Sequence, residues 1–292
     1  MTAQLIDGKA IAQKVREEVA AEVARRTANG KPRPNLATVL VGDRTDSAAY
    51  VSSKGKACLE LGMGSISEHL PADATQEQVE TVVKKLNADP QVSGILVQLP
   101  MPAHIDEERV LSLISIEKDV DGFSPINIGR LAQKGRQPLF VPCTPHGCIY
   151  LLEQAGVKIE GANAVVLGRS NIVGMPVALL LISRNATVTV CHSRTRDLPA
   201  VVHQADILIA AIGKMEMVRG DWIKPGAAVI DVGINEKPDA SKKKGYRLVG
   251  DVNFEEAVQV AGWITPVPGG VGPMTIAMLM KNTLRAAQIK NP

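Results

Sequence analysis

The chain has 292 residues and a formal net charge of +3 at pH 7. Hydrophobic residues make up 45% of it, so a substantial core can form, and the length suits one large domain or two ordinary ones. The charge is too small to indicate a nucleic-acid-binding protein, and no apolar run reaches the roughly 18 residues that span a membrane. The N-terminal residues lack the basic segment and apolar core of a signal peptide, so a cytoplasmic protein is expected.

The first half of the chain alternates helices and strands. Apolar residues four apart predict an amphipathic helix over residues 9–27, and residues 35–42 form an apolar run typical of a buried strand. A helix follows to about Leu61, a capping box at residues 75–78 opens another to about Asn87, and a strand is expected over residues 92–98. This alternation predicts βαβ units with a parallel sheet.

A polar, turn-rich stretch between Gly129 and Pro142 indicates a domain boundary, and a helix with Thr144 at its cap should follow. Four short apolar strands are then expected at residues 164–167, 186–190, 207–211 and 228–232, a pattern typical of a Rossmann-like domain. The predicted fold class is α/β, with two αβ domains flanking a cleft. One domain comprises residues 1–141 plus 270–292, and the NADP-binding Rossmann-like domain comprises residues 142–269.

Four residues of the first half carry the chemistry of a candidate active site. Tyr50 and Lys54 are four apart in a predicted helix, so the aromatic ring and the amine face the same way. Gln98 follows the apolar run of a strand, and Asp121 lies in a turn after an extended segment. An aromatic ring, an amine, an amide and a carboxylate suit a flat, nitrogen-rich substrate.

The strand that ends at residue 167 leads into a glycine-containing turn. Gly168 permits a tight turn, Gly174 permits close packing of the next helix, and the amides of that helix can face a phosphate. Ser170 stands where a GxGxxG motif has its second glycine. The next strand ends in Ser193 and Arg194 rather than in an acidic residue, and a hydroxyl with a guanidinium suits a 2′-phosphate, so NADP is favoured over NAD.

A metal site is not expected. The cysteines show no CxxC spacing, and none of the five histidines forms an HxxH or HxxxH pair. Buried reduced thiols are the better interpretation of Cys58, Cys143, Cys148 and Cys191.

Taken together, several runs of sequence resemble the bifunctional methylenetetrahydrofolate dehydrogenase/methenyltetrahydrofolate cyclohydrolase family over nearly the whole chain. The most specific run is TPVPGGVGPMT at residues 265–275. The others are YVSSK at 50–54, GILVQLP at 94–100, KDVDG at 118–122, PCTP at 142–145 and GRS at 168–170.

The resemblance implies two reactions. NADP⁺ takes a hydride from 5,10-methylenetetrahydrofolate, and water then opens the methenyl cation to 10-formyltetrahydrofolate. It also implies that Lys54 is the acid/base residue, that Gln98 tunes it, that Asp121 binds the pterin and that Tyr50 stacks on the folate rings. The family further suggests a homodimer formed through the cofactor domain.

The predicted contacts form two sets. The substrate set is Tyr50, Lys54, Val97, Gln98, Leu99, Pro100, Asp121, Pro268, Gly269 and Gly270, the last two in a loop that closes over the folate in the family. The cofactor set is Thr144, Gly168, Arg169, Ser170, Ile172, Ser193, Arg194, Thr195, Gly213 and Ile234. Two positions depart from the family pattern: Ser124 replaces a frequent histidine, and Met175 replaces an arginine common in the cofactor turn.

Two other functions stay open at this stage. A Rossmann dehydrogenase of another small substrate, such as an amino acid, explains the second half of the chain but not the four residues of the first. A nucleotide-sensing module without catalysis explains neither the position nor the chemistry of Lys54.

Overall fold

The computed structural model describes residues 2–242 and 244–291, without the side chains of residues 45 and 46. Its α-helices are α1 (Gly8–Ala28), α2 (Thr45–Glu60), α3 (Gln76–Ala88), α4 (Glu107–Ser112), α5 (Pro125–Ala132), α6 (Cys143–Gln154), α7 (Gly174–Ile182), α8 (Leu198–Val202), α9 (Phe254–Ala257) and α10 (Val271–Lys290). Its strands are β1 (Gln4–Leu5), β2 (Asn35–Val41), β3 (Gly64–Leu70), β4 (Gly94–Val97), β5 (Asn163–Leu167), β6 (Thr187–Cys191), β7 (Ile207–Ala210), β8 (Ala228–Asp231), β9 (Asn235–Pro238), β10 (Tyr246–Val249) and β11 (Trp263–Ile264). No helix in the described ranges is both long and apolar enough to cross a membrane.

The chain divides into two compact units. The first unit comprises Gln13–Cys143 and Ile276–Pro292, and the second comprises Met1–Ala12 and Thr144–Thr275. The N-terminal residues group with the second unit, whereas the sequence placed them in the first domain. The reason is that β1 pairs in parallel with β11 and thereby extends the sheet of the second unit.

The first unit is built on a parallel three-stranded sheet in the order β3-β2-β4. The central strand β2 is buried along nearly its whole length, because both of its faces are covered, which explains its continuous apolar sequence. The predicted capping box of α3 is present: the Thr75 hydroxyl accepts from the Gln78 N–H, and the Gln78 side chain accepts from the Thr75 N–H.

The second unit is built on a six-stranded parallel sheet in the order β1-β11-β8-β7-β5-β6, with a separate antiparallel hairpin, β9-β10. Strands β7 and β8 are fully buried, as their apolar runs predict. Strand β6 lies at the edge of the sheet and alternates exposed and partly buried residues. The predicted α/β fold class with a Rossmann-like second half is confirmed.

Candidate active site and cofactor site

Lys54 and Gln98 are in direct contact in the first unit. Helix α2 presents Lys54, whose Nζ donates to Gln98 Oε1 at 3.0 Å. The Gln98 Nε2 donates to the carbonyl of Leu99 at 2.7 Å, and this second bond fixes which end of the amide faces the lysine. Tyr50, one turn earlier on α2, is 45% exposed. The amine is therefore held by an acceptor, next to an accessible aromatic ring.

Asp121 shares this site. Its side chain is half-buried, and burial raises the pKa of its carboxyl group, while the positive charge of Lys54 and a hydrogen bond from the Cys143 thiol oppose that rise. Burial in turn raises the pKa of the Cys143 thiol well above its usual value, and the charge of Asp121 adds to that rise, so the group is a neutral thiol. The structure thus brings Lys54, Gln98 and Asp121 together in the first unit.

The turn that carries Asp121 is organised by its neighbour Asp119, which the sequence analysis did not identify. The buried Asp119 carboxylate accepts hydrogen bonds from the N–H groups of Phe123 (3.2 Å) and Ser124 (2.8 Å) and from Asn127 Nδ2 (2.8 Å). Burial raises its pKa to about 6, and the charge of Asp121 acts in the same direction. Asp119 thereby fixes the chain on both sides of Gly122.

Two further buried side chains, Lys118 and Asn282, hold the segment that carries Asp121. The Lys118 ammonium donates to the carbonyls of Leu86, Asn87 and Asp89 at the C-terminal end of α3. In the same unit, Asn282 on α10 donates to the carbonyls of Val120 (2.8 Å) and Val141 (3.0 Å), which flank the turn. These bonds leave the Asp121 backbone little freedom.

Ser124, one of the departures from the family pattern, has a local structural role. Its hydroxyl accepts from the N–H of Ile126 at 3.3 Å and caps α5, while its own N–H donates to Asp119. A serine is a preferred N-cap residue, so the substitution is compatible with the turn.

In the second unit a cavity of about 320 Å³ opens at the carboxyl ends of β5, β6 and β7. Four predicted cofactor residues line it: Gly168, Arg169, Ser170 and Ser193. Its other lining residues are Leu167, Cys191, His192, Leu198, Ala211, Ile212, Lys214 and Met217. The lining thus contains two cationic side chains and no carboxylate, which fits a ligand that carries phosphate groups.

The turn after β5 requires glycine at two positions. Gly168 has φ +107°, and a Cβ there would meet the carbonyl of Ala211, while a Cβ on Gly174 would meet the carbonyl of Gly168. Ser170, which replaces the second glycine of the motif, accepts from the N–H groups of Val173 (3.2 Å) and Gly174 (3.3 Å). The predicted turn is present, and the serine hydroxyl caps α7.

The loop after β6 is closed by Thr195, whose hydroxyl accepts from the N–H of His192 at 2.9 Å. Arg194 is exposed, and its N–H donates to His192 Nδ1 at 3.2 Å. Neither residue lines the cavity, and neither do Ile172 and Gly213 in the neighbouring loops.

Two predicted cofactor residues lie away from this cavity. Ile234 lines a smaller cavity of about 140 Å³ together with Pro268, Gly269 and Gly270. The hydroxyl of Thr144 is hydrogen-bonded to that of Thr275 at 3.0 Å. The predicted folate loop and Ile234 are thus neighbours within the second unit.

Comparison with known proteins decides the family. Residues 6–121 match the model of the tetrahydrofolate dehydrogenase/cyclohydrolase catalytic domain, and residues 142–291 match that of the NAD(P)-binding domain of the same enzymes. The chain belongs to this family. The predicted family and pair of activities are therefore confirmed, as is a nicotinamide dinucleotide cofactor, and a dehydrogenase of an unrelated substrate is not favoured.

Individual relatives are similar over their whole length. The "Bifunctional protein FolD 2" of Arabidopsis thaliana is 58% identical over 98% of this chain and 96% of its own length. The "Bifunctional protein FolD" of Moorella thermoacetica is 58% identical over 99% of this chain and 100% of its own length. A crystal structure of the Trypanosoma brucei methylenetetrahydrofolate dehydrogenase-cyclohydrolase, in complex with NADP and an inhibitor, is 47% identical, with a TM-score of 0.95 over 99% of this chain and 98% of that one.

The raised pKa of Asp119 predicts a pH dependence of stability. The group has a pKa of about 6 in the folded protein, against about 3.9 when unfolded. Its contribution to stability is therefore present at low pH and is lost as the pH rises through 6. Asp119→Asn does not titrate, so the stability difference between wild type and variant should fall by about 1 kcal/mol between pH 5 and pH 8 in urea unfolding. A difference that stays constant would contradict the raised pKa.

Proposed function

We propose that Lys54, Gln98 and Asp121 carry the folate chemistry of this chain and that the 320 Å³ cavity holds NADP. The observation that carries the proposal is the 3.0 Å bond from Lys54 Nζ to Gln98 Oε1, beside a half-buried carboxylate that feels the lysine charge. The amine is thus held within hydrogen-bond distance of an uncharged acceptor, which orients Lys54 Nζ for proton transfer.

In the hydrolytic reaction, water adds to the methenyl carbon and must lose a proton. Because Gln98 accepts from Lys54, a neutral amine keeps its lone pair free, and it takes that proton as the C–O bond forms. As the C–N bond of the adduct breaks, the amine returns this proton to the ring nitrogen that leaves, and the hydroxyl of the adduct loses its own proton to solvent to give the formyl group. Asp121 accepts hydrogen bonds from the amino-pyrimidine edge of the pterin, and the ring of Tyr50 offers a stacking surface.

Bound NADP⁺ supplies the acceptor for the hydride of the methylene carbon. The residues of this chain hold the cofactor in place: Gly168 lets the backbone come close, and Arg169 and Lys214 offer charge to its phosphates. Ser193, which lines the cavity, and Arg194, which follows it in the same loop, bind the 2′-phosphate. The lining of the cavity contains no carboxylate, which supports this assignment, because a carboxylate there would repel the phosphate.

Lys54→Met should lower the cyclohydrolase kcat by at least about 100-fold, the usual contribution of a general acid/base group, because it removes the amine and keeps the apolar stem. The substitution should leave folate binding largely intact, and the dehydrogenase should lose less. Absorbance of the methenyl chromophore and of NADPH measures the two reactions. Lys56→Met, an exposed lysine on the same helix, is the matched control. Small, equal losses in both reactions would remove Lys54 from the catalytic role.

Arg194→Glu should raise the KM for NADP⁺ by about tenfold or more, because a carboxylate would face the 2′-phosphate. The KM for NAD⁺, which lacks that phosphate, should hardly change. Arg196 is an exposed arginine in the same loop, so Arg196→Glu controls for the general effect of replacing a positive charge by a negative one. If the KM for NADP⁺ stays at the wild-type value, Arg194 does not contact the phosphate.

The homodimer is proposed to form through the second unit. Within the described part of the chain, its edge strand β6 pairs with β5 alone, and pairing with a second copy would satisfy the backbone groups on the other side of β6. Sedimentation at micromolar concentration should give twice the chain mass of 31.1 kDa. A species of the single-chain mass would contradict the dimer.

A further inference from the structure

Asp251 is a buried carboxylate next to the proposed cofactor cavity, with an exposed fraction of 0%. Its Oδ2 accepts from the N–H groups of Ile212 (2.7 Å) and Gly213 (3.0 Å), and its Oδ1 accepts from the N–H of Lys214 (2.8 Å). These three residues follow β7, and Ile212 and Lys214 line the cavity. The Asp251 side chain therefore fixes the backbone of the cavity wall formed by residues 212–214.

The same carboxylate also reaches the start of β9. Its Oδ1 accepts from Asn235 Nδ2 at 3.1 Å, and the residue before Asn235 is Ile234, which lines the smaller cavity. Asp251 thus connects one wall of the 320 Å³ cavity with one wall of the 140 Å³ cavity.

A second carboxylate fixes Asp251 itself. Asp231, at the end of β8, accepts from the N–H groups of Asp251 (3.0 Å) and Val252 (2.9 Å). The Asp231 N–H donates to the hydroxyl of Thr265 at 2.8 Å. The backbone of Asp251 is therefore held from β8, so its side chain reaches the other loops from a rigid position.

We propose that Asp251 is a positioning residue for the dehydrogenase reaction, which sets the distance between the Ile212–Lys214 wall and the Ile234 wall around the bound dinucleotide. Only a carboxylate meets this requirement, because four N–H donors converge on two acceptor oxygens. An asparagine would keep one acceptor and turn an NH₂ group toward other N–H groups, leaving buried donors unsatisfied. The inference rests on the proposed cofactor site.

Asp251→Asn should raise the Kd for NADP⁺, measured by isothermal titration calorimetry, by about tenfold or more, since unsatisfied buried donors cost on that scale. The cyclohydrolase kcat at saturating folate should stay within about twofold of wild type, because that reaction consumes no cofactor and Lys54, Gln98 and Asp121 lie in the first unit. Asp239→Asn is the matched control. It makes the same chemical change at the tip of the β9-β10 hairpin, where the Asp239 side chain accepts from the N–H and the hydroxyl of Ser241, and it should leave the Kd unchanged.

Parallel losses of both activities would assign Asp251 a general structural role and overturn the inference, as would an unchanged Kd. If Asp251→Asn does not fold, Asn235→Ala decides: the Kd should rise about threefold with the cyclohydrolase intact, and an unchanged Kd overturns the inference. Arg194→Glu distinguishes a failure of the positioning role of Asp251 from a failure of the proposed cofactor site. If it weakens NADP⁺ binding and the Asp251 variant does not, only the positioning role fails; if neither does, the cofactor site itself is misplaced.

Discussion

Buried carboxylates that accept hydrogen bonds from backbone N–H groups fix the conformation of loops at the proposed active site in the first unit and at the cofactor cavity in the second. Asp119, Asp231 and Asp251 each have an exposed fraction of 4% or less, and each accepts at least three hydrogen bonds. A buried carboxylate is costly unless its oxygens are bonded, so each surrounding loop is confined to the conformation that supplies the donors. The functional side chains are then presented by loops with little freedom.

In the first unit, the neighbouring carboxylates Asp119 and Asp121 have different surroundings and different proposed roles. Asp119 accepts from two backbone N–H groups of the turn and from Asn127 on α5, whereas Asp121 faces the amine of Lys54 and the thiol of Cys143. Burial raises the pKa of both groups, but the lysine charge counteracts the rise only at Asp121. The charge of Lys54 therefore favours the ionised form of Asp121, while Gln98 offers the amine an uncharged hydrogen-bond partner.

The parts of the fold that were predicted from the sequence are those with a continuous apolar run or a local capping motif. The runs of β2, β7 and β8 and the capping box of α3 were recognised because burial on both faces or a local side-chain bond dictates the sequence. Strands β3, β9 and β10 were not predicted, since most of their residues alternate between exposed and partly buried positions. Lys54, Gln98 and Asp121 were found through their motifs, whereas Asp251 was missed because a sequence does not distinguish a buried aspartate from a surface one.

In the turn after β5, Ser170 replaces the second glycine of the GxGxxG motif, and this changes which groups are available to the cofactor phosphates. Ser170 occupies two N–H groups at the start of α7 with its own hydroxyl, so these amides are already satisfied by the protein. Met175 brings no charge to the same turn and is 38% exposed. In the proposed site, positive charge toward the phosphates therefore comes from the side chains of Arg169, Arg194 and Lys214 rather than from the helix end. The loop that carries Lys214 is the one that Asp251 holds, so the buried carboxylate acts on cofactor binding through the placement of a cation.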